Sequence, residues 1–294
     1  MESVFLLQNF KGMRSSTENI YQQKVNQVID YISLHLHEPL LLDVIAAQAN
    51  VSQRQLLRIM RSSLDEPLSA YVARQRMEHA VMYMQTEEMS LATLAGMVGY
   101  DNPQSFSKAF KKQFGISPKA YLDELQSRLE HFVENTVGKH SNLHPEIVEE
   151  GDIELVYIRI FGKYGEEEPY EVAWNKLLNF LKQNNALSGD TRFIGISFDD
   201  PNITGHSQCR FYACASTGKK IVPTRELGAI RIQKGRFAVY TLKGSYSGLQ
   251  ELYNNICVNL EHTLRYGVAF EEYLNSPHDT KEEDLLTKIY IPVK

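Results

Sequence analysis

The sequence predicts a multidomain protein: an all-α N-terminal domain with two helix-turn-helix units, then an α+β C-terminal domain of two duplicated β-α-β-β units. Three observations carry this. From Glu18 to about Tyr121 apolar residues recur at three- and four-residue spacings, the period of helices that bury one face, whereas beyond His144-Pro145 the chain breaks into short β-rich runs. In the first half, Ile45-Ala46-x3-Asn50-Val51 returns as Leu94-Ala95-x3-Gly99-Tyr100, and Leu56-x-Arg58-x-Met60-Arg61 returns as Phe106-x-Lys108-x-Phe110-Lys111. In the second half, Tyr157-x4-Gly162-x-Tyr164-Gly165 parallels Tyr240-x3-Gly244-x-Tyr246-x-Gly248, Phe198-Asp-Asp-Pro201 parallels Leu274-Asn-Ser-Pro277, and Arg210-Phe-Tyr212 parallels Lys288-Ile-Tyr290.

The elements follow in order. Val25, Val28, Ile29, Ile32 and Leu36 give a first helix its apolar face, and Tyr71, Met77, Ala80, Val81 and Met84 do so for a long central helix. Each half of the first repeat reads as a small residue that lets two helices cross, a tight turn, and a second helix. Gly99 and Asn50 suit the left-handed backbone of that turn. The polar stretch 127–144 lacks a period and reads as a linker, so the boundaries fall at 18–125, 126–144 and 145–294. In the second half strands are expected at 153–160, 193–198, 210–215, 228–232, 238–242 and 287–293, with helices near 169–183 and 246–264. A duplicated domain has a pseudo-two-fold axis, and a groove along it is a natural ligand site.

Composition narrows the function. The three cysteines form no CxxC pair and the nine histidines are scattered, so no metal, cofactor or disulfide framework is expected. Residues 1–10 carry only a four-residue apolar run, which suggests neither export nor a membrane anchor, and the expected location is the cytoplasm. A net charge of -5 excludes indiscriminate coating of nucleic acid, so DNA binding must use local basic surfaces. Residues 104–119 supply one, with four lysines and no acid.

A DNA-reading helix needs outward side chains near its N-terminus that reach base edges, flanked by cations for phosphates. Beyond an N-cap at Ser52, Leu56 and Met60 point inward and leave Gln53, Arg54, Leu57, Arg58 and Arg61 outside. In the second unit Phe106 and Phe110 point inward and leave Gln104, Ser105, Ser107, Lys108, Lys111 and Lys112 outside. Arginine can read guanine, and glutamine adenine. A central helix of roughly 18 residues spans about 27 Å, which with the width of the units suits recognition helices about 34 Å apart, one DNA turn. Arg74 and Arg76 on that helix are expected to form structural ion pairs instead.

The stretch SLATLAGMVGYDNPQSFSKAFKKQFGISP, residues 90–118, resembles the second helix-turn-helix of the AraC/XylS family, and residues 25–121 resemble its complete two-unit domain. Leu57 departs from members that place a polar base-reading residue there. The resemblance implies a transcription regulator whose partners are double-stranded DNA and RNA polymerase.

FIGISFDDP at 193–201, GRFAVY at 235–240, GSYSG at 244–248 and FEEYLN at 270–275 resemble the GyrI-like, or SHV-type, effector-binding domain in a Rob-like arrangement. This implies a sensor of small lipophilic or cationic molecules with Glu271 as the ligand-facing carboxylate. On a strand, Glu271 and Tyr273 share one face while Phe270, Glu272 and Leu274 take the other. A carboxylate withdrawn from water among aromatics favours a cation through charge and cation-π contact. Tyr164, Trp174, Ile196, Tyr212 and Tyr246 are the candidate lining. Two alternatives stand beside this reading: a C-terminal domain that binds a protein and no small ligand, and a hydrolase, for which the sequence offers no GxSxG, HExxH, Walker or GxGxxG motif.

Overall fold

The computed structural model describes residues 20–124, 144–199, 204–217, 226–260 and 262–294. The expected linker at 126–144 lies, except for His144, outside the described residues, as do residues 18 and 19.

Seven helices are described in the first part: α1 at 20–34, α2 at Leu42–Gln48, α3 at Gln53–Leu64, α4 at Leu68–Thr86, α5 at Leu91–Met97, α6 at Pro103–Phe114 and α7 at 118–124. They enclose two cores that share α4. Val25, Val28, Ile29, Ile32, Ala46, Leu56, Met60 and Tyr71 fill the first. Met77, Ala80, Val81, Leu94, Ala95, Phe106 and Phe110 fill the second. Ala46 and Ala95, both buried, stand where α2 meets α3 and α5 meets α6. The turns behind them use left-handed backbone at Asn50 (φ 49°) and Gly99 (φ 80°).

Gly99 is required for space as well as conformation. A Cβ there would lie 2.3 Å from the Leu36 carbonyl oxygen and 2.6 Å from the Arg76 guanidinium. Arg76 itself ties the units together: Nε donates to Leu36 O (3.0 Å), Nη2 donates to Glu38 O (2.9 Å), and the guanidinium stands 5.6 Å from the Tyr100 ring centre. Arg74 pairs with Glu66 and Glu78 (2.5 and 2.9 Å), as expected, whereas Arg76 bonds carbonyls rather than carboxylates.

The second part is an eight-stranded antiparallel sheet with two helices on one face. Its elements are β1 (Glu146–Glu150), β2 (Ile153–Phe161), α8 (Glu167–Gln183), β3 (Phe193–Ser197), β4 (Arg210–Ser216), β5 (Leu227–Ile232), β6 (Gly235–Lys243), α9 (Leu249–Asn259), β7 (Phe270–Tyr273) and β8 (Leu286–Val293). The strand order β1-β6-β8-β7-β3-β4-β2-β5 is a duplication about the β7–β3 pair. Each repeat has one strand more than the expected β-α-β-β unit, and that leading strand crosses over to pair with the other repeat. In β1, Glu146, Glu149 and Glu150 hide the strand from a hydrophobic pattern.

The pairing also corrects the repeat's register. Gly195 faces Glu271 across the centre, Ile196 faces Tyr212, and Glu272 faces Lys288, so the repeat-mate of Tyr212 is Lys288 and not Tyr290. Tyr157 and Tyr240 likewise lie on opposite faces: Tyr157 packs with Val239, whereas Tyr240 packs with Leu252 and Ile256 of α9. Sequence likeness follows the tyrosines; the pleat follows the glycines Gly162 and Gly244, both at positive φ (149° and 113°).

The two parts dock through α1 and α4. Arg159, wholly buried, donates from Nη1 to Asn26 Oδ1 (2.7 Å), from Nη2 to Asp30 Oδ1 (2.5 Å) and from Nε to the Tyr212 hydroxyl (2.7 Å). Its guanidinium lies beside the stacked Tyr157 and Tyr212 rings, 5.1 and 4.7 Å from their centres. Farther along α4, Tyr83 stacks on Tyr266 at 4.3 Å, and the Tyr266 hydroxyl lies 2.7 Å from His79 Nδ1. Burial, reinforced by Arg210, lowers the His79 pKa to about 4.

Candidate functional site

Two regions carry the predicted residues. The first is the outer face of α3 and α6. The Ser52 side chain caps α3 by accepting from Gln55 N (3.2 Å), and Asn102 caps α6 by accepting from Ser105 N (2.8 Å), with Pro103 in the first turn. Leu56, Ile59 and Met60 anchor α3, and Phe106 and Phe110 anchor α6, so the exposed stripes are set by the helical period. Gln53, Arg54, Leu57, Arg58 and Arg61 are all exposed on α3; Gln104, Ser105, Lys108, Lys111 and Lys112 are exposed on α6. Ser107, expected outside, is half-buried. Among the described residues none of Arg54, Arg58, Arg61, Lys108, Lys111 or Lys112 has a carboxylate within ion-pair distance, which leaves each charge available to an anion.

The second region lies on the helix-covered face of the sheet at the pseudo-two-fold. Glu271 is 6% exposed. Its partners are two phenols: Tyr253 on α9 donates to Oε1 (3.1 Å) and Tyr273 on β7 donates to Oε2 (2.6 Å). Burial raises the Glu271 pKa, and the two hydroxyls pull it part of the way back. No cation pairs with it among the described residues. Trp174 meets the Tyr273 ring edge-on at 5.6 Å, Tyr246 meets it at 5.5 Å, and both are half-buried. Glu271 also acts electrostatically on Tyr170 and Tyr246, whose phenol pKa values rise chiefly through burial.

The structure therefore brings five of the seven predicted ligand residues to one face: Tyr164, Trp174, Tyr246, Glu271 and Tyr273. Tyr164 and Trp174 pack on the α8 side. Ile196 and Tyr212 are not with them. They alternate with Gly195 and Phe211 and so point to the other face, where Ile196 sits in the core and Tyr212 stacks on Tyr157 at 4.2 Å and holds Arg159. Tyr253 and Tyr170 escaped sequence reasoning. Tyr253 lies on a helix whose apolar pattern hides which of its residues reaches across the sheet, and Tyr170 lies beside Trp174 without a motif of its own.

Among the described residues no helix is long and apolar enough to cross a membrane, and no group of His, Cys, Asp or Glu is placed to hold a metal ion.

Residues 143–294 match the model of the GyrI-like small molecule binding domain, and residues 45–124 match a helix-turn-helix domain. The chain is 30% identical over 105 residues to the regulatory protein SoxS of Salmonella typhimurium, a match that covers 36% of this chain and 98% of SoxS. It is also 30% identical over 107 residues to the HTH-type transcriptional regulator YkgA of Escherichia coli, covering 36% of this chain and 45% of that protein. The chain thus spans about half the length of YkgA. A solved EcmrR–DNA complex aligns over 86% of this chain and 98% of its own at 11% identity, with a TM-score of 0.44.

Proposed function

We propose the function from the family to which the chain belongs, that of AraC-type DNA-binding transcription regulators with a GyrI-like domain. Residues 18–125 form the reader, 126–144 the linker and 145–294 the sensor. The reader places α3 and α6 in successive major grooves, with Arg54, Arg58, Gln53, Gln104 and Lys108 toward base edges and Arg61, Lys111 and Lys112 toward phosphates. The sensor holds a small lipophilic cation at Glu271. Ligand occupancy changes operator affinity, or contact with RNA polymerase, by a coupling of roughly 1 to 3 kcal/mol.

One observation carries the ligand reading: a buried carboxylate whose described hydrogen-bond partners are two phenols, surrounded by half-buried aromatic rings. A carboxylate removed from water is unfavourable unless charge meets it. A cation entering between the rings of Tyr246, Trp174 and Tyr273 supplies that charge and gains cation-π contact as well.

Tetraphenylphosphonium serves as the test probe. Saturable binding by calorimetry, with a concentration-dependent rise in melting temperature that Glu271→Gln abolishes, is the expected result. Absence of binding to the wild-type chain would favour a C-terminal domain that binds a protein. SoxS is named a regulatory protein and YkgA an HTH-type transcriptional regulator, and nothing in the site argues for turnover.

A further inference from the structure

The Glu271 site and the face that docks onto the reader lie on opposite sides of one sheet, so ligand occupancy must be communicated through it. One connection runs from the aromatic side chains of the site to a chain of buried polar groups. Tyr164, on the ligand side, packs against the same core cluster as Trp174, whose ring meets that of Tyr273 edge-on at 5.6 Å. Its hydroxyl accepts from Asp199 N (3.0 Å) and lies 3.0 Å from the carbonyl oxygens of both Asp199 and Arg210. The peptide at Asp199 is thus gripped from the ligand side.

The Asp199 side chain is gripped from the docking side. Its Oδ2 accepts from Arg210 N (2.6 Å) and its Oδ1 accepts from Arg210 Nη2 (2.6 Å), both residues being buried. Arg210 in turn reaches α4: Nη2 lies 4.0 Å from Glu78 Oε2, and Nη1 donates to the Tyr71 hydroxyl (3.4 Å). The Thr204 hydroxyl donates to Glu78 Oε1, beside the Arg74 pair on the same helix. α4 is the rod that sets the separation of the two recognition helices.

We propose that occupancy of the Glu271 site is transmitted to α4 through Tyr164, the Asp199–Arg210 pair and Glu78. This rests on the ligand reading above. A molecule seated between the aromatics displaces the Tyr164 ring, the Asp199 peptide moves with its hydroxyl clamp, and the carboxylate–guanidinium pair shifts against Glu78. Hydrogen-bonded pairs have discrete arrangements, so a small displacement converts to one docking geometry or another.

The experiment uses the full chain, tetraphenylphosphonium, and a duplex selected by the wild-type protein from random-sequence DNA. At saturating probe the wild-type dissociation constant for this duplex should change about fivefold or more. Thr204→Val and Glu78→Gln should bind the probe and the duplex as the wild type does, yet show less than about half of that change on a logarithmic scale. Tyr164→Phe, assayed at probe saturation determined for that variant, should also lose the change. Two interface variants keep the test alive if one fails to fold. Full probe response in Tyr164→Phe or in both interface variants overturns the proposal. Probe binding without any change in the wild-type duplex affinity overturns the coupling and leaves the ligand site standing. No probe binding to the wild type overturns the ligand reading, and the coupling with it.

Discussion

Gly195 stands directly opposite Glu271 across the β3–β7 pair, and the Tyr273 hydroxyl that bonds Glu271 occupies the space a side chain at 195 would need. A Cβ at Gly195 would lie 2.4 Å from that hydroxyl and 2.9 Å from the Phe211 ring. The two residues are repeat-mates, so the duplicated domain carries one carboxylate at its axis instead of two. A symmetric pair of buried carboxylates would repel and share a proton. Gly195→Ala is therefore expected to push Tyr273 off Glu271, lower the melting temperature by an amount corresponding to about 1 to 3 kcal/mol, and weaken tetraphenylphosphonium binding. Calorimetry and thermal unfolding of the same preparation check both; an unchanged melting temperature would mean the strand moves aside.

Glu271→Gln separates stability from binding. The native carboxyl titrates above its ordinary value of 4.5 because burial disfavours its charge. A raised native pKa makes the stabilising contribution complete below the unfolded value and removes it as pH rises through the native one. The melting temperature of Glu271→Gln relative to wild type should accordingly climb as pH rises above 4.5. At neutral pH the variant should match or exceed wild type in stability while failing to bind a cation. Melting curves from pH 4 to pH 8 test the slope, and a difference that falls with pH contradicts it.

Much of this is legible in the sequence because the period of an element and the size of its residues are local properties. The exposed stripes of α3 and α6 follow from Leu56, Met60, Phe106 and Phe110, and the left-handed turns at Asn50 and Gly99 follow from what those residues tolerate. What escapes depends on strand register. A one-residue slip reverses the face, and so sequence likeness pairs Tyr157 with Tyr240 and assigns Ile196 and Tyr212 to a face they do not share with Glu271. Tyr253 and the Arg159 cluster depend on contacts between distant segments. Asn26 and Asp30 carry no local sign that an arginine over a hundred residues away will lie between them.

A pair of glycines one turn of sequence apart should respond in opposite directions. Gly99 has positive φ and a carbonyl oxygen where its Cβ would be, so Gly99→Ala should destabilise the reader by more than about 1 kcal/mol. Gly96 lies within α5 with open space for 4 Å around the place a Cβ would take, so Gly96→Ala should stabilise by about 0.5 to 1 kcal/mol, since alanine loses less backbone entropy in a helix. Denaturant midpoints at constant slope provide the comparison. Equal effects of both substitutions would contradict the assignment of the turn.

Base-reading and phosphate-holding cations on the reader should separate in their salt dependence. Arg58 and Lys108 occupy corresponding places in the two units, both exposed and without a described carboxylate partner. Replacing both by alanine should remove base contacts worth about 1 to 3 kcal/mol each, and so reduce preference for the selected duplex over random DNA by on the order of a hundredfold. Lys111, nearer the end of α6, faces the backbone in the proposed docking. Lys111→Ala should weaken all duplexes alike and reduce the slope of log affinity against log salt by about 0.9. Anisotropy titrations of the selected and a scrambled duplex at several salt concentrations resolve the two effects. Discrimination retained by the Arg58 and Lys108 double variant would remove these two residues as base readers and leave the reading to Gln53, Arg54 and Gln104.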